Sequence, residues 1–513
     1  MAQEADRQVD LPRPASASER CTGPRSSVVR MTTATRQTDS DPATEATIGD
    51  EGGPSSEPVT LLILGASGDL AARLLMPGLG GLLAHEPVRR VQLIGAGVEE
   101  YSDEQWHQRV VDSFASVEAA GPAVDALLAS TRYITADVTS ADALTTLLDA
   151  CEAPPAIYFA LPPAITEKAC EALKQVQLPE GTALALEKPF GTDVASAGHL
   201  NELVLQLVPE ERVHRVDHFL GRATVLNLLG LRFANRLIEP MLNNQHVESI
   251  DIVYDETLGL EGRARYYDHA GALVDMIQSH LLQVMAVLTM NAPSTLTAVD
   301  LRDEKQLVLR ATRLLDGDPV ANSRRARYTA GTIEGRDLPA YTAEEGVDAS
   351  IETETLAEMV VEVQNWRWAG VPIRLRSGKA LASRRREIVI TFRPPTHVPR
   401  EFVGGGTPDR LRIAIAPDEM SLELNVNGPG DSYDLSRATL HAEFGLGDLT
   451  AYGEVLAGIL DGDPTLSVRG DSAVEGWRIV APVLDAWRAG DVPIDEYPAG
   501  TAGPSSWPAV EDD

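Results

Sequence analysis

The segment that most narrows what this chain can become is Val59-Thr-Leu-Leu-Ile-Leu64, an almost unbroken apolar run that passes directly into Gly65-Ala-Ser-Gly68. A strand that is apolar on both faces has to be covered on both, which is the situation of an inner strand of a parallel sheet. A helical pattern then runs to about residue 83. After it come a strand at 91–94, a helix at 103–114, a strand at 132–135, a helix at 141–148 and strands at 157–161 and 184–186. Strand and helix alternate and each strand is apolar throughout, so residues 58–217 read as an α/β domain with a doubly wound parallel sheet. After residue 217 the pattern changes: long helical stretches, roughly 219–237 and 271–289, mix with alternating strands at 247–254, 387–392 and 412–415. Strands grouped without βαβ alternation indicate an α+β domain over 218–513, its sheet mainly antiparallel and its helices on one face. Residues 1–57 are rich in Ser, Thr, Pro, Gly, Asp and Glu, with few large apolar side chains, and are expected to form a disordered tail.

Composition excludes more than it selects. The 513 residues exceed one compact core, in keeping with two domains. No run of about eighteen apolar residues offers itself as a bilayer span. A net charge of −32 argues against nucleic acid or an anionic membrane as a partner, so an anionic small molecule needs a local basic pocket. Cys21, Cys151 and Cys170 show neither a CxxC pair nor metal-ligand spacing; no metal is expected, and the usage is that of a reducing compartment. The N-terminus lacks an apolar signal-peptide core, and a cytoplasmic location is expected.

Five stretches carry chemistry. In Gly65-Ala66-Ser67-Gly68-Asp69-Leu70 the glycines let backbone approach a pyrophosphate and the following helix N-terminus offers free N–H groups; a plain glycine turn is the alternative. Ala160-Leu161-Pro162-Pro163 ends a strand at the sheet's carboxyl edge, where open α/β sheets bind ligands, although two prolines also simply terminate a strand. Glu187-Lys188-Pro189-Phe190-Gly191 places a charged pair at the same edge. The stretch 212–222, Arg-Val-His-Arg-Val-Asp-His-Phe-Leu-Gly-Arg, sets three arginines and two histidines in a very acidic chain and suits a phosphate dianion better than a solvated basic face. In the helical pattern after Asp275, His280 sits beside Leu281 and Leu282 and reads on pattern alone as a core histidine. Five residues apart, Asp275 and His280 would lie about 140° apart on a regular helix.

Together, GASGDL, ALPP, EKPFG, RVDHFLG with LRFAN, DMIQSHLLQ, NWRWAGVPI and RSGKAL resemble, in content and order, the glucose-6-phosphate dehydrogenase family, from residue 59 nearly to the C-terminus. The resemblance implies a Rossmann domain followed by a β+α domain with a large antiparallel sheet, and oxidation of glucose 6-phosphate to the 1,5-lactone with NADP or NAD, the first step of the oxidative pentose phosphate pathway. It implies His280 as general base with Asp217 as its orienting carboxylate. It further implies a substrate set of Lys188, His218, Arg222, Glu256, Asp275, Lys379 and Arg384. For the cofactor it implies Gly65 to Leu70, Arg73, Pro162 and Lys188. A homo-oligomer, dimer or tetramer, is implied as well. Three positions depart from the family pattern: Phe219 for tyrosine, Arg222 for lysine and Ala416 for glutamine. After the second strand the chain reads Gly95-Ala-Gly-Val-Glu99-Glu100, where the family often carries an arginine for the NADP 2′-phosphate; this leaves NADP and NAD both open, with Arg73 the compensating cation. Two rival readings remain: a related dehydrogenase of an unphosphorylated sugar or cyclitol, and a non-catalytic paralogue serving as a subunit or regulator.

Overall fold

A computed structural model describes residues 57–507, apart from Arg263, Gly405, Ala416, Pro429, Asp431, Gly445 and Leu446, together with the backbone of a short strand, Val28–Met31. The remainder of the expected N-terminal tail and the departure at Ala416 lie outside the described residues.

The first sheet is the one anticipated. Its strands are β1 (Val59–Leu64), β2 (Val91–Gly97), β3 (Arg132–Thr135), β4 (Pro155–Phe159), β5 (Ala183–Glu187) and β6 (Val213–Val216). They lie in the order β6-β5-β4-β1-β2-β3, all parallel. Order reverses at β1, and the crevice outside its carboxyl end is where such sheets bind ligands. Leu61, Ile63 and Leu93 pack into a core on one face, and Leu62, Leu64, Ile94 and Ile157 into a core on the other, which is why these strands carry no polar alternation. A seventh strand, Ser467–Val468, returns from the far end of the chain and pairs antiparallel with β6.

The second sheet is mixed and mainly antiparallel, with eleven strands. At its centre β7 (Val247–Asp255) lies between β8 (Ile373–Gly378), parallel to it, and β9 (Arg385–Phe392), antiparallel to it. Beyond β9 come Arg410–Ile415, Asp418–Asn427, Leu435–Glu443 and then Val28–Met31; beyond β8 come Leu356–Val363, Ser323–Thr329 and Ile494–Pro498. Helices cover one face around Ile250, Ile252, Leu281, Val284, Trp368 and Trp477. The helical segment Tyr266–Thr289 is long and apolar enough to pass for a membrane span, yet 78% of its most apolar window is buried in the protein, as befits a core helix.

Two helical expectations need correction. The stretch expected to be helical from 219 begins its helix only at Ala223, ending at Phe233, because Asp217–Arg222 is a run of turns, with Leu220, Gly221 and Arg222 each donating three residues back. The second stretch is not a regular α-helix: Leu273–Leu281 is π-helical before Leu282–Thr289 continues as α. A π-turn closes its hydrogen bonds over five residues, so residues five apart come to one face. Asp275 and His280 therefore share a side of this helix, instead of lying the 140° apart that α-spacing gives.

Candidate active site

Strand register builds the site. Glu187 is paired with Val216, so the next residues, Lys188 and Asp217, leave neighbouring parallel strands at the same carboxyl edge. In the second sheet Gly378 is paired with Asp255, so Lys379 and Glu256 leave β8 and β7 side by side in the same way. The π-helical segment lies between these edges and presents Asp275 and His280 to both.

At the centre, the ring Nδ1 of His280 lies 2.5 Å from Asp217 Oδ1, and both side chains are almost wholly buried. An ionised carboxylate only accepts, so Nδ1 carries the proton and the Nε2 lone pair is left for chemistry. Burial pushes the Asp217 carboxyl upward, but His280, with His218 and Lys188 behind it, outweighs this and holds it well below the usual carboxylate range. Burial pushes His280 below 6.5 although Asp217 opposes the shift, so the ring is neutral near neutral pH. The Phe219 N–H donates to the same Asp217 oxygen at 3.0 Å, fixing the carboxylate from its own turn.

Rings pack tightly around this pair. Phe219 stacks on His280 with centroids 4.2 Å apart and 12° between planes. His218 meets His280 edge-on at 4.7 Å and stacks on Tyr452 at 5.4 Å. Burial, then the neighbouring His280, lowers His218 to about 3, so it is an uncharged partner in the free protein. Phe219 is thus a buried packing residue against His280, and the Arg222 guanidinium lies over its ring, 4.5 Å from the centroid.

The cations are already matched with carboxylates. Lys188 Nζ donates to Asp275 Oδ1 at 3.0 Å and to the Asp275 carbonyl at 2.7 Å. Burial raises the Asp275 carboxyl, but Lys188 and Lys379 overcome it and bring it to about 2. Lys379 donates to Glu256 Oε2 at 2.8 Å, while Arg386 donates to Glu256 Oε1 at 3.2 Å. Arg384, exposed, reaches Thr257 Oγ1 at 3.3 Å. Arg386 pairs in register with Tyr254 on β7 and lies 4.7 Å over its ring. Phe219, with Arg222 4.5 Å over its ring, lies 5.1 Å from Tyr254, so Arg222 and Arg386 approach one place from two sides of that aromatic pair. The Nε atoms of Arg222 and Arg386 are buried and make no hydrogen bond among the described residues.

The glycine loop stands at the end of β1. Gly65 has φ +86°, and a Cβ there would lie 2.3 Å from the Ala160 carbonyl oxygen, so only glycine lets this loop pass the end of β4 next to Leu161 and Pro162. Ala66 is buried, Ser67 half-buried, and Gly68, Asp69 and Pro162 are exposed at the edge. Arg73 is exposed and lies 3.7 Å from Asp69. A Cβ placed on Gly97, the last residue of β2, would meet Tyr133 Oη at 2.7 Å, Glu99 Oε2 at 3.2 Å and Ser67 Oγ at 3.4 Å. Tyr133 Oη is buried and without a hydrogen-bond partner among the described residues. Exposed backbone at a strand end offers donors to a pyrophosphate, and the converging hydroxyls and carboxylate suit the hydroxyls of a ribose.

Several of these groups were not singled out from sequence. Arg386 hides in the run Arg384-Arg385-Arg386, and only the pairing of β7 with β9 decides which arginine faces Tyr254. Tyr452 gives no sequence signal: it arrives on the helix Ala451–Asp461, which packs on Met76–His85 where Gly78 leaves no room for a side chain. Glu187, read in sequence as half of a charged pair at the sheet edge, accepts from Tyr158 at 2.5 Å and from Tyr452 at 3.3 Å, and burial raises it to about 6.

A Rossmann sheet whose ligand edge faces a buried histidine–aspartate pair defines a dehydrogenase that uses a nicotinamide dinucleotide. Residues 62–227 match the family model described as glucose-6-phosphate dehydrogenase, NAD binding domain, and residues 229–511 match its C-terminal domain. This chain belongs to the glucose-6-phosphate dehydrogenase family. It is 36% identical over 471 residues to the glucose-6-phosphate 1-dehydrogenase of Zymomonas mobilis, covering 87% of this chain and 96% of that one. Against the enzyme of Gluconobacter oxydans the figures are 38% over 471 residues, 87% and 95%. Among solved structures, a glucose-6-phosphate dehydrogenase in complex with its substrate glucose-6-phosphate superposes with a TM-score of 0.79 at 29% identity, covering 87% and 96%. The glucose-6-phosphate 1-dehydrogenase of Mycobacterium avium gives 0.75 at 32%, covering 87% and 95%.

Proposed function

We propose that this protein oxidises glucose 6-phosphate at C1 to 6-phosphoglucono-1,5-lactone in the crevice between a dinucleotide domain, residues 58–217, and a substrate domain, residues 218–513. The observation that carries the reading is the buried His280–Asp217 pair at 2.5 Å, facing the carboxyl edge of a Rossmann sheet. The oxidant is a nicotinamide dinucleotide, NADP or NAD; when bound, its nicotinamide ring accepts the hydride leaving C1. His280 Nε2 takes the proton of the anomeric hydroxyl, and Asp217 stabilises the imidazolium that forms. Asp275 and Glu256 accept from sugar hydroxyls, with Lys188 and Lys379 holding those carboxylates in place. Arg222, Arg384 and Arg386 supply charge for the phosphate, which the uncharged His218 assists by hydrogen bonding. Residues 65–70, Arg73, Pro162 and Lys188 line the dinucleotide side. The arginine cluster favours a phosphorylated sugar over a neutral one, and the intact dyad favours an enzyme over a silent paralogue. Cysteine usage supports a cytoplasmic setting, and family membership supports a homo-oligomer.

The test follows reduced-nicotinamide absorbance in purified protein with glucose 6-phosphate, for wild type and His280→Asn. Substrate-dependent reduction that collapses in the variant is expected. Binding of both ligands without turnover in the wild type would reject the enzymatic reading.

A further inference from the structure

We propose that Glu99 makes the adenosine end of the crevice select against a 2′-phosphate, so that this protein holds NAD more tightly than NADP. The inference deepens the dinucleotide reading above and rests on it. Glu99 follows β2 by two residues, and its carboxylate takes a hydrogen bond from Ser67 Oγ at 2.6 Å, inside the glycine loop itself. Its backbone is held as well, the Thr135 hydroxyl donating to the Glu99 carbonyl at 3.4 Å. The carboxylate is exposed at the crevice edge and is tied to the glycine loop through the residue that follows Ala66. The Ser67 hydrogen bond also keeps it ionised. Its field is felt at the same spot: burial and then Glu99 raise the Tyr133 phenol to about 12.

Position and chemistry agree on the ligand atom concerned. In a doubly wound sheet the group after the second strand meets the ribose 2′ position, where a carboxylate accepts from a hydroxyl and repels a phosphate dianion. Compensation would need a cation on the ligand side of Glu99. Arg109 keeps its charge and a buried Nε without a hydrogen bond among the described residues, but its guanidinium is turned to the backbone of the loop, donating to the Ser67 and Gly68 carbonyls. Arg73, the cation that could have rescued the phosphate, is drawn toward Asp69 on the solvent side of its helix. Ser67, Glu99 and Tyr133 thus form a hydroxyl- and carboxylate-lined cradle above Gly97, fitted to a diol.

The experiment titrates the full-length protein with NADH and NADPH by nicotinamide fluorescence, and with ADP and adenosine 2′,5′-bisphosphate by calorimetry, for wild type, Glu99→Gln and Glu99→Arg. Wild type is expected to bind NADH at least about tenfold more tightly than NADPH, the scale of one like-charge contact near water. Glu99→Gln should narrow that ratio and Glu99→Arg should invert it, in the fragments as in the whole dinucleotides; ADP binding confirms that each variant is folded. Equal or tighter NADPH binding by wild type, or a ratio unchanged in Glu99→Gln, would overturn the proposal. Glucose 6-phosphate-dependent turnover of either dinucleotide by the same preparation separates a failure of this inference from a failure of the assigned reaction.

Discussion

Replacing Asp217 with asparagine isolates the electrostatic part of the dyad. The shape is conserved, and the amide oxygen of the new side chain can still accept from the Phe219 N–H, which lies 3.0 Å from Asp217 Oδ1 in the wild type. What disappears is a negative charge beside an imidazole that is neutral at rest and cationic when the proton has moved. With Nδ1 and Oδ1 2.5 Å apart, the charge centres lie about 4 Å from one another, and at an effective dielectric of about 20 that is worth about 4 kcal/mol. The full amount counts toward catalysis, because the attraction is made only as the imidazolium forms. At about 1.36 kcal/mol per decade the expected loss in kcat is about a thousandfold.

The pH profile supplies a second reading of the same experiment. Burial holds His280 below 6.5 while Asp217 opposes that fall. A base must be unprotonated, so the wild-type rate rises with pH through the His280 pKa and then levels. Without Asp217 the opposing contribution is gone, and the acid limb of kcat/KM moves to lower pH while the plateau drops. Raising the pH cannot restore the rate. A loss below about tenfold, or an acid limb displaced to higher pH, would refute the assignment of Asp217 as the group that stabilises the imidazolium.

Three further outcomes follow from the geometry. Arg386→Ala should raise KM for glucose 6-phosphate about tenfold or more, the scale of one hydrogen bond to a charged group, and, because Arg386 also braces Glu256, should weaken turnover of unphosphorylated glucose to a smaller extent. Lys305 is buried against Leu220, Val225, Leu229 and Leu301, and burial lowers its amine from 10.5 to about 7. Between those values the unfolded chain binds a proton the folded one has released, so stability climbs with pH across that window and the penalty is full below about 7; Lys305→Met should remove that rise and increase the apparent melting temperature at about pH 6, measured calorimetrically. Gly271→Ala should destabilise by about 2 kcal/mol or more in denaturant titration and lower kcat, because φ is +64° and a Cβ would stand 2.3 Å from Glu354 Oε1, the atom that accepts the Leu273 N–H at the start of the site helix.

The Rossmann half was legible because its strands are apolar on both faces, a pattern that survives without knowledge of any partner. The central strands of the second sheet could be found by alternation, but their pairing could not. That β7 lies between β8 and β9 is fixed by contacts between residues more than a hundred positions apart, and this pairing alone places Lys379 beside Glu256 and Arg386 over Tyr254. The π-turn at Leu273–Leu281 was hidden for a different reason. Apolar spacing reports which face is buried, not which hydrogen-bond register the backbone adopts, and here one change of register separates a dispersed Asp275 and His280 from a joint site. Phe219 and Arg222 read in sequence only as departures from the family pattern. In the fold Phe219 stacks on His280 and carries the Arg222 guanidinium over its ring, so the two departures pack together.

How a chain of net charge −32 receives a dianion is answered by this pairing of charges. In the free protein Lys188 is bound to Asp275, while Lys379 and Arg386 share Glu256. A cation left bare in such a field would gather solvent counterions, and a carboxylate left bare near the arginines would repel the phosphate. Paired, each holds the other in position before the sugar arrives, so little ordering entropy is lost on binding. The sugar hydroxyls then donate to carboxylate oxygens while the lysines stay in place behind them, a change of hydrogen bonds without a change of net charge. On the proposed reading the phosphate is met by Arg222 and by Arg386, which also braces Glu256; each keeps a buried Nε without a hydrogen bond among the described residues. On that reading carboxylates backed by Lys188 and Lys379 meet the ring and guanidiniums meet the phosphate, with Arg386 joining the two through Glu256. An unphosphorylated sugar would satisfy only the first, leaving the buried guanidinium donors unpaired, and that uncompensated desolvation is the physical basis for discrimination.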